Sequence, residues 1–92
     1  MPWKVSWSRS ALKGLRRLDK KQQEIVVRWV AANLEGCDNP RAISGGKSMQ
    51  GTTNGWRWRI GHMRIIAWLY DDELVIDLCR VGQREGVYKH LS

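Results

Sequence analysis

The stretch Trp56-Arg57-Trp58-Arg59-Ile60-Gly61-His62-Met63-Arg64-Ile65-Ile66 decides how this chain folds. Trp56, Trp58 and Ile60 alternate with Arg57 and Arg59, the period of two that gives a strand one apolar and one polar face. Gly61 and His62 supply a two-residue reversal, and Met63 to Tyr70 returns as a second strand. With that turn Ile60 pairs with Met63, Trp58 pairs with Ile65, and Arg59 stands directly opposite Arg64. Arg57 points the same way. The apolar face therefore goes to a core and the arginine face to solvent.

Downstream, Asp71 and Asp72 mark another turn, and Leu74 to Val81 reads as a further strand that Gly82 ends. A two-residue turn there pairs Ala67 with Ile76 and Ile65 with Leu78, all apolar. It also sets Cys79 beside Arg64 and Asp77 on the arginine face. A slip of one residue would take Leu74, Ile76 and Leu78 off the core face, so the first register is expected. The remaining tail to Ser92 is expected to hold a short helical segment.

Upstream, Trp3, Val5 and Trp7 alternate with Lys4 and Ser6 as a first strand. Ser8 or Ser10 can cap a helix carrying Leu12, Leu15 and Leu18 on one stripe. Asp19 and Gln22 resemble a capping box for a second helix, in which Ile25, Val26, Trp29, Val30 and Leu34 repeat at helical spacing until Gly36. The break between them leaves room only for a tight reversal or sharp bend, so the two helices should form a hairpin lying across the sheet. Residues 36–55 read as an extended loop, with a short structured piece between Ala42 and Met49. The expected class is α+β over residues 1–92 as a single domain: a small twisted antiparallel sheet of about four strands, with the helical hairpin on one face.

Sixteen Lys and Arg against nine Asp and Glu give a net charge of +7, a field that draws polyanions and makes nucleic acid the leading partner class. No apolar run approaches the roughly 20 residues of a membrane span, and no leader-like segment opens the chain, so a cytoplasmic protein is expected. Cys37 and Cys79 lack metal-ligand spacing and read as reduced thiols. No metal or other cofactor is called for. Like charges facing each other on a sheet cost roughly 0.2 to 1 kcal/mol. Arg59 opposite Arg64, with Arg57 alongside, makes sense if an anion sits between guanidinium groups whose donor forks grip phosphate oxygens. Asp77 neutralising one of them is the plainer alternative.

The Trp56 to Ile66 run, followed by Asp71-Asp72-Glu73-Leu74 and by Arg80-Val81-Gly82-Gln83-Arg84-Glu85-Gly86-Val87-Tyr88, resembles the RelE/ParE superfamily of toxins from type II toxin-antitoxin systems. The resemblance covers nearly the whole chain and is weakest over residues 36–55. It implies a toxin with its active site on an exposed concave sheet face. Its RelE branch enters the ribosomal A site and cleaves messenger RNA there, whereas its ParE branch poisons DNA gyrase without cutting RNA. Arg57, Arg59, Arg64, Arg84 and Tyr88 fall on positions of the mRNA-cleaving branch, and Tyr88 favours that branch. The implied function is a ribosome-dependent endoribonuclease that blocks translation. The alternatives are a gyrase poison and a silent RNA-binding or interaction module.

Metal-free cleavage needs a base for the 2′-hydroxyl, charge stabilisation at the phosphate and an acid for the leaving oxygen. Arg59, Arg64 and Arg84 suit the middle role and Tyr88 offers a phenol and a stacking face, and these four are the expected catalytic set. Arg57, Lys47, Lys89 and His90 are expected phosphate or RNA contacts, His90 doubling as a candidate proton acceptor. His62, in the hairpin turn, is expected to stay out of the chemistry. The implied partners are an acidic antitoxin, messenger RNA and ribosomal RNA, with DNA reached only through the antitoxin and no membrane.

Overall fold

A computed structural model of the protein describes residues 2–83. Arg84, Tyr88, Lys89 and His90, together with the expected C-terminal helical segment, lie outside the described residues. The elements run β1 (Lys4–Trp7), α1 (Arg9–Arg17), α2 (Lys20–Asn33), a 3-10 turn (Pro40–Ala42), β2 (Gly46–Ser48), β3 (Gly55–Ile60), β4 (Met63–Tyr70) and β5 (Val75–Gln83). The class is α+β, as expected, but the sheet has five strands in the order β1-β5-β4-β3-β2. It is mixed and not wholly antiparallel, because β1 lies parallel to β5. The fifth strand, β2, lies in the 36–55 segment, inside the Ala42 to Met49 stretch expected to hold a short structured piece.

Both helices start on side-chain caps. Ser8 Oγ accepts from the Ala11 N–H at 3.0 Å, and Asp19 Oδ1 accepts from the Gln22 N–H at 2.8 Å; each satisfies a donor that the first helical turn leaves open. Past α2, the Gly36 N–H donates to the Trp3 carbonyl and the Trp3 N–H to the Cys37 carbonyl, tying the end of the helix to the start of β1. In α1 the deepest contacts are Ala11 and Leu18, while Leu12 and Leu15 are half-buried. Gly14 explains this: a Cβ there would stand 2.0 Å from the Val81 carbonyl oxygen, so the helix lies directly on the β5 backbone. In α2, Val26, Val30 and Leu34 are buried and Trp29 packs its ring against Trp58 at 6.1 Å between centroids. Ile25, placed on the apolar stripe by spacing, is exposed at the edge of that stripe. No helix among the described residues is long and apolar enough to cross a membrane.

The β3–β4 hairpin has the expected register: Ile60 with Met63, Arg59 with Arg64, Trp58 with Ile65. Gly61, at φ +59°, takes the first turn position, where glycine is favoured in two-residue reversals. Trp58, Ile65 and Ala67 are fully buried under the helices. Each large buried side chain is worth about 1.5–3 kcal/mol, so packing outweighs the repulsion of one arginine pair and holds the register.

The β4–β5 hairpin departs from expectation. Its turn is four residues long, Asp71 to Leu74, with Leu74 at φ +55°, so Tyr70 pairs with Val75, Leu69 with Ile76 and Ala67 with Leu78. A shift of two residues keeps the same faces, which is why the apolar pattern could not reveal it. Leu74 belongs to the turn, where its carbonyl accepts from the Lys4 N–H. A register shift between Ile66 and Ala67 then leaves Cys79 as one extra residue in β5. Beyond this bulge Arg80 pairs with Ile66, Val81 with Ile65 and Gly82 with Arg64. The strand continues through Gly82 to Gln83. The residue opposite Arg64 is therefore Gly82, not Cys79, and Asp77 pairs with Trp68, two positions further from Arg64 than Ile66.

Candidate nucleic-acid interface

Strand pairing arranges the cations of the open sheet face in two rows. The first crosses four strands as Lys47, Arg57, Ile66 and Arg80, and the second runs Arg59, Arg64 and Gly82. A cleft of about 320 Å³ opens among Gly45, Gly46, Lys47, Arg57, Arg59 and Arg64. Its floor is Arg64, only 4% exposed, whereas Arg59 and Lys47 reach solvent and Arg57 lies between these extremes. The geometry suits an anion entering between the guanidinium groups.

Local structure explains how Lys47 gets there. The Gly45 carbonyl accepts from the Arg59 N–H at 3.0 Å, with Gly45 at φ +87°, and the strand that follows sets Lys47 beside Arg57. Gly46 lies against the indoles of Trp56 and Trp58, 2.5 Å and 2.8 Å from the nearest ring atoms to where a Cβ would be, so a side chain there would lift β2 off the sheet. The segment is also clamped from outside. Arg41 grips Asp71 with both terminal nitrogens, at 2.8 Å and 3.0 Å, and lies 5.8 Å from the Trp56 ring centre. That hydrogen bonding and charge pull the Asp71 carboxyl below its ordinary pKa and raise that of Arg41.

Of the expected site residues, Arg57, Arg59, Arg64 and Lys47 come together in one cleft. Arg84, Tyr88, Lys89 and His90 lie outside the described residues, and β5 carries the chain as far as Gln83, one residue past the partner of Arg64. His62 is exposed in the turn. Arg80 joins the cationic row although strict alternation from Ile76 and Leu78 would set it on the core face; the bulge at Cys79 turns it over. The broken spacing of the buried residues Ile76, Leu78 and Val81, two and then three apart, was the available signal. Cys37 and Cys79 are free thiols, and burial pushes the pKa of each upward. Among the described residues no cluster of His, Cys, Asp and Glu gathers to hold a metal ion.

The family described as the ParE toxin of type II toxin-antitoxin systems, parDE, matches residues 5–88. The toxin-antitoxin complex RelBE2 from Mycobacterium tuberculosis is similar in structure, with a TM-score of 0.76 and 20% identity, covering 91% of this chain and 100% of its counterpart. A mutant of the E. coli toxin RelE in the free state gives a TM-score of 0.75 at 18% identity, covering 98% and 92% of the two chains. The archaeal RelE-RelB complex from Pyrococcus horikoshii OT3 gives 0.72 at 19% identity, covering 91% and 97%. No curated protein matches the sequence. At such identities the structures speak for a shared fold.

Proposed function

The chain belongs to the ParE toxin family of type II toxin-antitoxin systems, and from the arginine cleft, not from the family match, we propose that this toxin cuts messenger RNA on the ribosome, using the cleft to grip the scissile phosphate. The observation that carries this reading is the ladder pair Arg59 and Arg64, with Arg57 and Lys47 around the same cleft. Four cations converging on one cavity suit a phosphate better than they suit folding.

The reaction is attack of the 2′-hydroxyl on the adjacent phosphorus, with departure of the 5′-oxygen. Arg59 and Arg64 stabilise the charge that gathers on the phosphate oxygens, and Arg57 and Lys47 fix the strand. None of the arginines accepts a proton, because a guanidinium stays charged. Arg84 and Tyr88 are proposed for charge stabilisation and for proton transfer or base stacking, with His90 as a proton acceptor and Lys89 as a backbone contact. A message aligned by the ribosome lowers the demand on these groups, since orientation alone removes much of a barrier. The toxin acts in the cytoplasm, and an acidic antitoxin silences it by covering the basic face.

Primer extension on a message being translated in a purified system tests this. Cleavage that needs ribosomes and falls at least tenfold in Arg59→Ala supports the nuclease; an intact message with the wild-type chain sinks it. A second reading, poisoning of DNA gyrase, is favoured by the family match itself. It predicts loss of supercoiling activity with the message untouched.

A further inference from the structure

The open face of β4 carries more than arginine. Because side chains alternate, Arg64, Ile66, Trp68 and Tyr70 share that face while Ile65, Ala67 and Leu69 go to the core. Trp68 is 36% exposed and Tyr70 41% exposed, although large aromatic rings usually add to a core. Their neighbours across the sheet are mostly small. Gly55 and Asp77, then Ser6, flank Trp68, and Val75, then the longer Lys4, flank Tyr70, so the neighbours cover neither ring fully. Alternate residues on a strand lie about 6.6 Å apart, which sets the two rings in line with the floor of the basic cleft.

We infer that Trp68 and Tyr70 form a stacking platform for unpaired bases of the RNA strand whose phosphate is held at Arg57, Arg59 and Arg64. This rests on the proposed RNA substrate and adds to it where the neighbouring nucleotides go. Single-stranded recognition combines a cationic groove for the backbone with aromatic faces for bases, and β4 carries both on one side. The acidic residues at this end support the division. Asp77 beside Trp68, and Asp72 and Glu73 bordering a cleft of about 450 Å³ with Tyr70, Thr53 and Asn54, repel phosphates and leave the rings to bases. The strand is thus anchored by backbone at one end of β4 and by bases at the other.

The test is fluorescence anisotropy at low salt with a short, fully 2′-O-methylated RNA that cannot be cut. Trp68→Ala and Tyr70→Ala are each expected to weaken binding on the order of tenfold, with the dependence on salt unchanged, because no phosphate contact is lost. Trp68→Phe and Tyr70→Phe retain most of the affinity, and an RNA made abasic loses the advantage that the wild type holds over the alanine variants. At 36% and 41% exposure both rings still bury area, so the alanine variants lose some stability in urea, and binding is read at a temperature where circular dichroism shows each variant fully folded. Alanine variants that bind as the wild type does, or a wild type that binds no RNA, overturn the platform. So does loss of affinity for an acidic antitoxin peptide with RNA binding intact, which would assign the rings to a protein partner. Ribosomal cleavage by a chain whose aromatic variants bind normally leaves the nuclease standing and removes the platform; stacking without any cleavage does the reverse.

Discussion

Arg59 and Arg64 face each other across the β3–β4 hairpin, a pairing that folding alone would avoid. Arg59 is exposed, so replacing it with alanine removes the repulsion without opening a cavity. Arg59→Ala should keep its stability or gain up to about 1 kcal/mol in urea denaturation, while its cleavage activity falls. A loss of stability would mean that the pair is structural. Gly14 is the opposite kind of residue, chosen by packing. Gly14→Ala would drive a methyl group into the Val81 carbonyl, and backbone on both sides leaves little room to yield. We expect a destabilisation of about 1–3 kcal/mol, read as a lower urea midpoint.

At the level of elements, the 36–55 segment contributes a strand to the sheet and a cation to the cleft, and Arg41 on Asp71 clamps it from outside. Asp71 is exposed and Arg41 half-buried, so Asp71→Asn should cost no more than about 1 kcal/mol. Its pH dependence has a definite sign. The folded carboxyl titrates below its unfolded value, so the clamp contributes fully above the ordinary carboxylate range and is lost as pH falls through the depressed folded value. Wild type and Asp71→Asn should therefore differ in thermal midpoint at neutral pH and converge in acid. The bulge in β5 is the other element with consequences. By inserting Cys79 it sends Val81 to the core and Arg80 to the cationic row, so the polar face gains a charge without losing a buried side chain.

For the whole molecule, a net charge of +7 could mean only a solvated basic surface, but the sheet concentrates Lys47, Arg57, Arg59 and Arg64 on one cleft. If all four meet phosphates of a single strand, affinity for a short RNA should fall with a log–log salt slope of roughly −3, from about −0.7 for each contact. A slope near zero would show that the cations do not meet the backbone. Much of this architecture was legible in the sequence. Both helix caps, the β3–β4 register and the clustering of Arg57, Arg59 and Arg64 follow from local rules: a capping side chain reaches three residues ahead, and a two-residue turn dictates every pair beyond it. Other features depended on contacts between distant segments. The parallel pairing of β1 with β5, the recruitment of β2 with its lysine, the two-residue shift across the Asp71 to Leu74 turn and the bulge at Cys79 came only with the tertiary structure. The physical reason is degeneracy. A strand with period two buries the same face after a slip of two residues, and only tertiary packing, such as Gly14 closing on the Val81 backbone, selects among the alternatives.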